Sequence, residues 1–116
     1  MKNIILSNNV VYQVIRDELQ HLGIPKKYNG FKFVCDLCFF ILTKDVPNTY
    51  STSTIILVAQ ANQTNYCNVE RNIRHMLNKT CSTNTILAEY LKNLNIKRPT
   101  TKKILQQIIL YLQKVI

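Results

Sequence analysis

Residues 64–78, TNYCNVERNIRHMLN, decide how the chain is read. Wound as a helix at about 100° per residue, they divide into two faces. Tyr66, Val69, Ile73, Met76 and Leu77 share one arc; Cys67, Glu70, Arg71, Arg74, His75 and Asn78 share the other, flanked by Asn68 and Asn72. The spacing predicts a helix over 65–79 with Asn65 as its cap, because an asparagine oxygen there accepts from first-turn amides. Arg71 and Arg74 stand three apart, so their side chains are neighbours on the polar arc.

Immediately upstream, Ser53–Ala61 reads as a short helix begun by Ser53 or Thr54. Asn62-Gln63-Thr64 makes a short connection, with Asn62 expected to end the helix left-handed. A short helix, a turn and a second helix with an Arg/Asn/His face form a helix-turn-helix candidate. Arginine forks match guanine O6 and N7, asparagine pairs with adenine, and glutamate accepts from cytosine N4. Those residue types on one outward face suit duplex DNA. An ordinary surface helix with a Glu70–Arg74 pair, contributing roughly a few tenths of a kcal/mol, accounts for part of the same pattern.

Working outward, Asn8 or Asn9 is placed to cap a helix running to Leu22, with Val11, Val14, Ile15, Glu18, Leu19 and Leu22 tracing its inward repeat. Gly23 closes it and Pro25 prevents its continuation. Lys26-Lys27-Tyr28-Asn29 is a basic loop. Residues 30–43 are apolar nearly all round, the mark of a buried central helix. Asn29-Gly30 is also a hairpin signal, with Phe31-Lys32-Phe33 as a strand, but the apolar run is too long and no first strand precedes it. Asp45-Val46-Pro47-Asn48 ends that element. After the 65–79 helix, Thr83 or Asn84 is expected to cap a helix burying Ile86, Leu87, Tyr90, Leu91 and Leu94. Asn95–Pro99 is a basic connector, and Thr100 or Thr101 caps a last helix. Its wide apolar stripe runs through Ile104, Leu105, Ile108, Ile109, Leu112, Val115 and Ile116, extended by Leu110 and Tyr111. Such a stripe plugs a core or offers a self-association face.

The expected architecture is all-α, about six helices around a helix-turn-helix, in one domain over residues 1–116 with 1–8 a loose lead-in. No apolar run approaches the ~18 residues of a membrane span, and the N-terminal stretch lacks a signal-peptide core, so the expected location is cytoplasmic, at the nucleoid. Residues 1–65 carry six Lys/Arg against four Asp/Glu (+2), and residues 66–116 carry nine against two (+7), together the net +9. A positive half that contains the candidate recognition helix suits a polyanion. Cys35-Asp36-Leu37-Cys38 has redox or zinc half-site spacing, but it lies in an apolar helix, and Cys67 and Cys81 do not supply a second close pair. These read as reduced core thiols, with no metal and no cofactor expected. With only Gly23 and Gly30 there is no glycine-rich phosphate loop, and His21 and His75 lack a hydrolase constellation, so no enzyme is expected.

Three blocks carry a family resemblance. Leu22-Gly23-Ile24-Pro25 followed by Asn29-Gly30-Phe31-Lys32-Phe33 resembles "IGVP…KGYLYL"; Asn68–His75 resembles "RVERAIRH"; Arg98-Pro99-Thr100-Thr101 resembles "KPTN". In that order, over residues 10–116, they resemble the C-terminal DNA-binding (effector) domain of the sporulation stage zero master response regulator of endospore-forming bacteria. The chain departs from that pattern at Asn68, where the family has arginine, and at Asn72, where it has alanine.

The resemblance implies a six-helix fold and a sequence-specific transcription regulator bound to double-stranded DNA at a TGTCGAA-like operator. It implies base reading by Asn68, Glu70, Arg71, Arg74 and His75. Phosphate contacts would come from Thr64, Asn65, Lys79, Lys97, Arg98 and Thr100, which position the protein without specifying sequence. It also implies tandem copies touching through the last helix, and nothing in the chain resembles the family's receiver domain. The alternative is an interaction module that pairs with a related regulator through Tyr111, Val115 and Ile116 without its own specific DNA binding.

Overall fold

The computed structural model describes residues 8–43, 51–96 and 98–116, and every regular element among them is a helix. In chain order they are α1 (Asn8–His21), α2 (Asn29–Thr43), α3 (Thr52–Ala61), α4 (Tyr66–Cys81), α5 (Ile86–Asn93) and α6 (Thr101–Val115). The lead-in before Asn8, the break at Asp45–Asn48 and Lys97 lie outside the described residues.

α2 is the axis of the fold. It packs on α1, α3 and α4, and its Phe31, Phe33, Val34, Cys35, Leu37, Cys38 and Ile41 are all buried. The hairpin alternative fails for that reason. A strand over 31–33 would bury one face, whereas Phe31, Phe33 and Val34 are needed on several sides at once. α4 lies across α2 and is backed by α3, α5 and α6. Its Val69, Ile73, Met76 and Leu77 have no solvent exposure at all.

Two glycines set close approaches. Gly23, at φ +94, ends α1 left-handed, and a Cβ there would meet Thr85 Cβ at 2.8 Å. The same junction is tied by the Leu87 amide donating to the Leu22 carbonyl at 2.9 Å. At Gly30 a Cβ would lie 2.6 Å from the Asn72 carbonyl oxygen and 3.1 Å from Met76 Cβ, so α2 and α4 cross almost backbone to backbone.

Several terminal details differ from the sequence expectation. Ser51, not Ser53 or Thr54, caps α3, accepting from the Thr54 amide at 3.3 Å. α4 runs two residues past the expected 79, and Thr85 rather than Thr83 or Asn84 caps α5. The hydroxyls of Thr83 and Thr85 both donate to the Thr80 carbonyl at 3.0 Å, closing the end of α4 and delaying the next helix. Ile86 (49 % exposed) and Leu94 (45 %) therefore lie outside the core at the two ends of a short helix, with Leu87 and Leu91 buried between them. Tyr66, in the first turn of α4, is 37 % exposed rather than buried. Leu110 is exposed, while Val115 and Ile116 are half-buried against the core.

Gly30→Ala is expected to destabilise the protein by about 2–3 kcal/mol, because the clash is with a carbonyl that cannot swing away. That exceeds the roughly 1 kcal/mol an alanine returns in helix propensity. Urea unfolding followed by far-ultraviolet circular dichroism checks it: a lowered midpoint is expected.

Candidate nucleic-acid interface

The turn between α3 and α4 is held from below by a carboxylate. Asp36, on α2 and 8 % exposed, accepts from Tyr12 Oη at 2.8 Å, Lys32 Nζ at 2.9 Å and Asn62 Nδ2 at 2.8 Å. Asn62 in turn accepts from Lys32 Nζ at 2.7 Å and donates through Nδ2 to the Val58 carbonyl at 2.8 Å. One buried charge is thus paired and hydrogen-bonded by α1, α2 and the turn, the condition under which a charge tolerates burial. Burial and the bond to Asp36 together push the Tyr12 hydroxyl well above the usual tyrosine range, so it stays a donor.

This arrangement corrects the expected left-handed Asn62. Its φ is −106°, which lets the side chain reach Asp36, and the left-handed residue is Gln63 at φ +53. The Thr64 amide then returns to the Ala59 carbonyl at 2.9 Å. α4 starts one residue later with Asn65 Oδ1 accepting from the Asn68 amide at 2.8 Å, as the sequence predicts. The Lys32–Asp36 spacing (i, i+4, an acid inside an apolar stretch) signals the ion pair, but nothing in the sequence joins it to Asn62.

On the outward arc of α4, Cys67, Arg71, Arg74, His75 and Asn78 are exposed. Arg74 Nη1 donates to both oxygens of Glu70, at 2.8 and 2.9 Å, with the arginine side chain 51 % and the glutamate 24 % exposed. An ion pair so placed contributes only ~0.3–0.5 kcal/mol to the fold, so it orients the arginine more than it stabilises the helix. Arg71 touches Asn68 Oδ1 at 3.4 Å, a weak bond that leaves the guanidinium outward. The ring of His75 meets the edge of Tyr28 with centroids 6.2 Å apart.

Asn68 is less free. Its Nδ2 donates to Thr64 Oγ1 at 3.0 Å, and its backbone and side-chain oxygens accept from Asn72 Nδ2 at 2.8 and 3.0 Å. Asn68 and Asn72, the two positions that depart from the resembled pattern, are therefore bonded to one another, with Asn72 anchoring Asn68 one turn back.

Among the expected phosphate contacts, Thr64 accepts from Asn68 and Asn65 acts as cap, while Lys79 is exposed in the last turn of α4. Arg98 is exposed at φ +51, and Thr100 caps α6 through the Lys103 amide at 3.2 Å. No hydrogen bond or ion pair among the described residues joins Arg98 or Thr100 to the outward arc of α4. Lys97 lies outside the described residues.

The cysteines and the last helix sit elsewhere. Cys35 and Cys38 have no exposure; burial pushes the Cys35 thiol up to about 12 and Cys38 higher still, so both are neutral thiols with little reactivity. The Tyr111 hydroxyl donates to Glu18 of α1, a bond that with burial raises its titration to about 12. The Tyr111 hydroxyl is thus engaged within the chain. No helix among the described residues is long and apolar enough to cross a membrane.

An all-helical chain with two helices across a short turn, the second turning a cationic arc outward, has the build of an effector domain. The chain belongs to the family described as sporulation initiation factor Spo0A C terminal, whose profile matches residues 15–114. That membership places it among the DNA-binding effector domains of sporulation response regulators, a class of transcription regulators. No curated protein matches the chain at a significant level.

Asn62→Ala is expected to lower stability by about 1–3 kcal/mol, since it removes a donor from the buried Asp36 and an acceptor from Lys32. Replacing the exposed Gln60 of α3 should change stability by less than about 0.5 kcal/mol. Urea midpoints of the two variants compare them directly.

Proposed function

We propose that this chain is a sequence-specific, non-enzymatic DNA-binding transcription regulator that inserts α4 into the major groove, acting in the cytoplasm at the nucleoid. The observation that carries the reading is that Arg71 and Arg74 are both exposed on an arc of α4 while Val69, Ile73, Met76 and Leu77 on the opposite arc are buried. A helix clamped on one side and cationic on the other presents a rigid edge to a groove about 12 Å wide. α3, the turn and α4 then act as the helix-turn-helix.

In this reading Arg71 and Arg74 donate to guanine O6 and N7. Glu70 holds Arg74 and accepts from cytosine N4 with whichever oxygen lone pairs the pair leaves free. His75 and Asn68 lie at the margin of the readout face, Asn68 by giving up or sharing its bond to Thr64. Thr64, Asn65, Lys79, Arg98, Thr100 and Lys97 fix register on the phosphates, and a TGTCGAA-like sequence is the operator to test first. Self-association on DNA would use α6, where Leu110 is 47 % exposed beside the half-buried Val115 and Ile116.

Arg71→Ala and Arg74→Ala should each cost about 1–3 kcal/mol on the preferred duplex and much less on random duplex. Selection of bound duplexes with the purified chain, then titration of both arginine variants on the winner and on a scrambled sequence, supplies the test. Equal losses on the two duplexes would reduce these arginines to phosphate contacts.

A further inference from the structure

The basic loop Lys26-Lys27-Tyr28-Asn29 and the adjacent end of α1 form a cleft of about 450 Å³ lined by Tyr12, Arg16, Lys26, Lys27, Tyr28 and Lys32, among others. Lys32 is neutralised by Asp36. Arg16, Lys26 and Lys27 have no carboxylate partner among the described residues. Two of these cations are held over rings instead: the Arg16 guanidinium is 5.4 Å from the centroid of Phe31, and Lys27 Nζ is 5.4 Å from that of Tyr28. Stacking of this kind orients a cation without neutralising it. Between Leu22 and Cys35 the sequence holds three lysines and no acid. The cleft is a concave, preorganised cationic surface in the half of the chain that is otherwise nearly neutral.

Its position relative to α4 gives it a use. Gly30 brings the start of α2 against the Asn72 carbonyl, and the ring of Tyr28 meets that of His75 in an edge-on contact. The loop therefore stands at the shoulder of the outward arc of α4, on the side opposite Glu70. Packed helices have axes 8–10 Å apart, and the walls of a groove about 12 Å wide stand roughly 6 Å from a helix lying along its middle. Whatever flanks α4 at its solvent-facing shoulder meets a wall of the groove, and that wall is phosphate.

We propose that Lys26 and Lys27, with Arg16 behind them, form a second phosphate clamp on the α1–α2 side of the recognition helix, gripping the backbone strand that passes His75. The inference rests on the proposed major-groove placement of α4 and extends it. Tyr28 links the two parts: it packs on His75 and sits beneath Lys27, so the ring that steadies a readout residue also aims a phosphate ligand. Sequence is not read here; the clamp adds affinity and fixes the tilt of α4.

The test uses the full chain and two duplexes, the selected one and its scrambled counterpart, at several salt concentrations. Lys26→Ala/Lys27→Ala, both exposed and outside the core, should weaken the two duplexes in parallel. It should also shallow the slope of log K against log salt by about 1.8, at about 0.9 for each phosphate no longer neutralised. Phosphate ethylation interference should lose its signal on one strand at the edge of the footprint. Lys92→Ala/Lys114→Ala, which removes the same charge elsewhere, should leave that edge unchanged. An unaltered slope and footprint in Lys26→Ala/Lys27→Ala, with Arg71→Ala still losing specificity, would overturn the clamp and leave the readout standing. Failure of the wild-type chain to bind any duplex would overturn both. Binding of inorganic phosphate or a nucleotide by the cleft, undisturbed by duplex, would contradict the clamp in favour of a small-ligand site.

Discussion

A carboxylate buried between helices can persist only if every lone pair that matters is met, and Asp36 is met from three directions. Tyr12 reaches it from α1, Lys32 from one turn earlier on α2, and Asn62 from the turn that joins α3 to α4. Because removing any one donor leaves an under-compensated charge in low dielectric, the three positions constrain each other. The consequence is geometric. The angle at which α4 leaves the turn is dictated by a side chain on α2, the same helix that α4 crosses at Gly30.

That two-point attachment explains how a helix with an almost wholly polar outer face can be rigid. At its start α4 is fixed by the Asn65 cap and by Asn62 on Asp36; at its middle it is fixed by backbone contact between Asn72 and Gly30. Val69, Ile73, Met76 and Leu77 fill the space between. The outward side chains therefore have a firm base, and the Glu70–Arg74 pair and the Asn68–Asn72 relay order them further. Preorganised donors lose less entropy on meeting a base edge than freely rotating ones.

The repeating apolar positions made much of this legible in advance. The order and type of all six helices, the burial of most of 31–41, the Asn65 cap and the exposure of Arg71 and Arg74 follow from periodicity and capping chemistry. What stayed hidden depends on contacts distant in sequence. Asn62 looked like a left-handed terminus because asparagine tolerates that region, yet a carboxylate 26 residues away holds it elsewhere. Ile86, Leu94 and Tyr66 fit an inward repeat and are exposed at the ends of their helices. Asn68, expected to read bases, is bonded to the hydroxyl of Thr64 and the amide of Asn72. The basic loop at Lys26 and Lys27 was legible, but the cleft it forms with Tyr12 and Arg16 of α1 was not, since those residues are distant in sequence.

The central claim is that α4 offers its cationic arc, on a base fixed by α2, to the groove of duplex DNA. The most direct measurement is a titration of the isotopically labelled chain with its selected duplex, followed residue by residue in amide and arginine-guanidinium nuclear magnetic resonance spectra. The account predicts the largest changes at Arg71, Arg74 and His75, with the amides of Val69, Ile73 and Asp36 nearly still. Dominant changes on α5 and α6, with the Arg71 and Arg74 guanidinium signals unmoved, would contradict it.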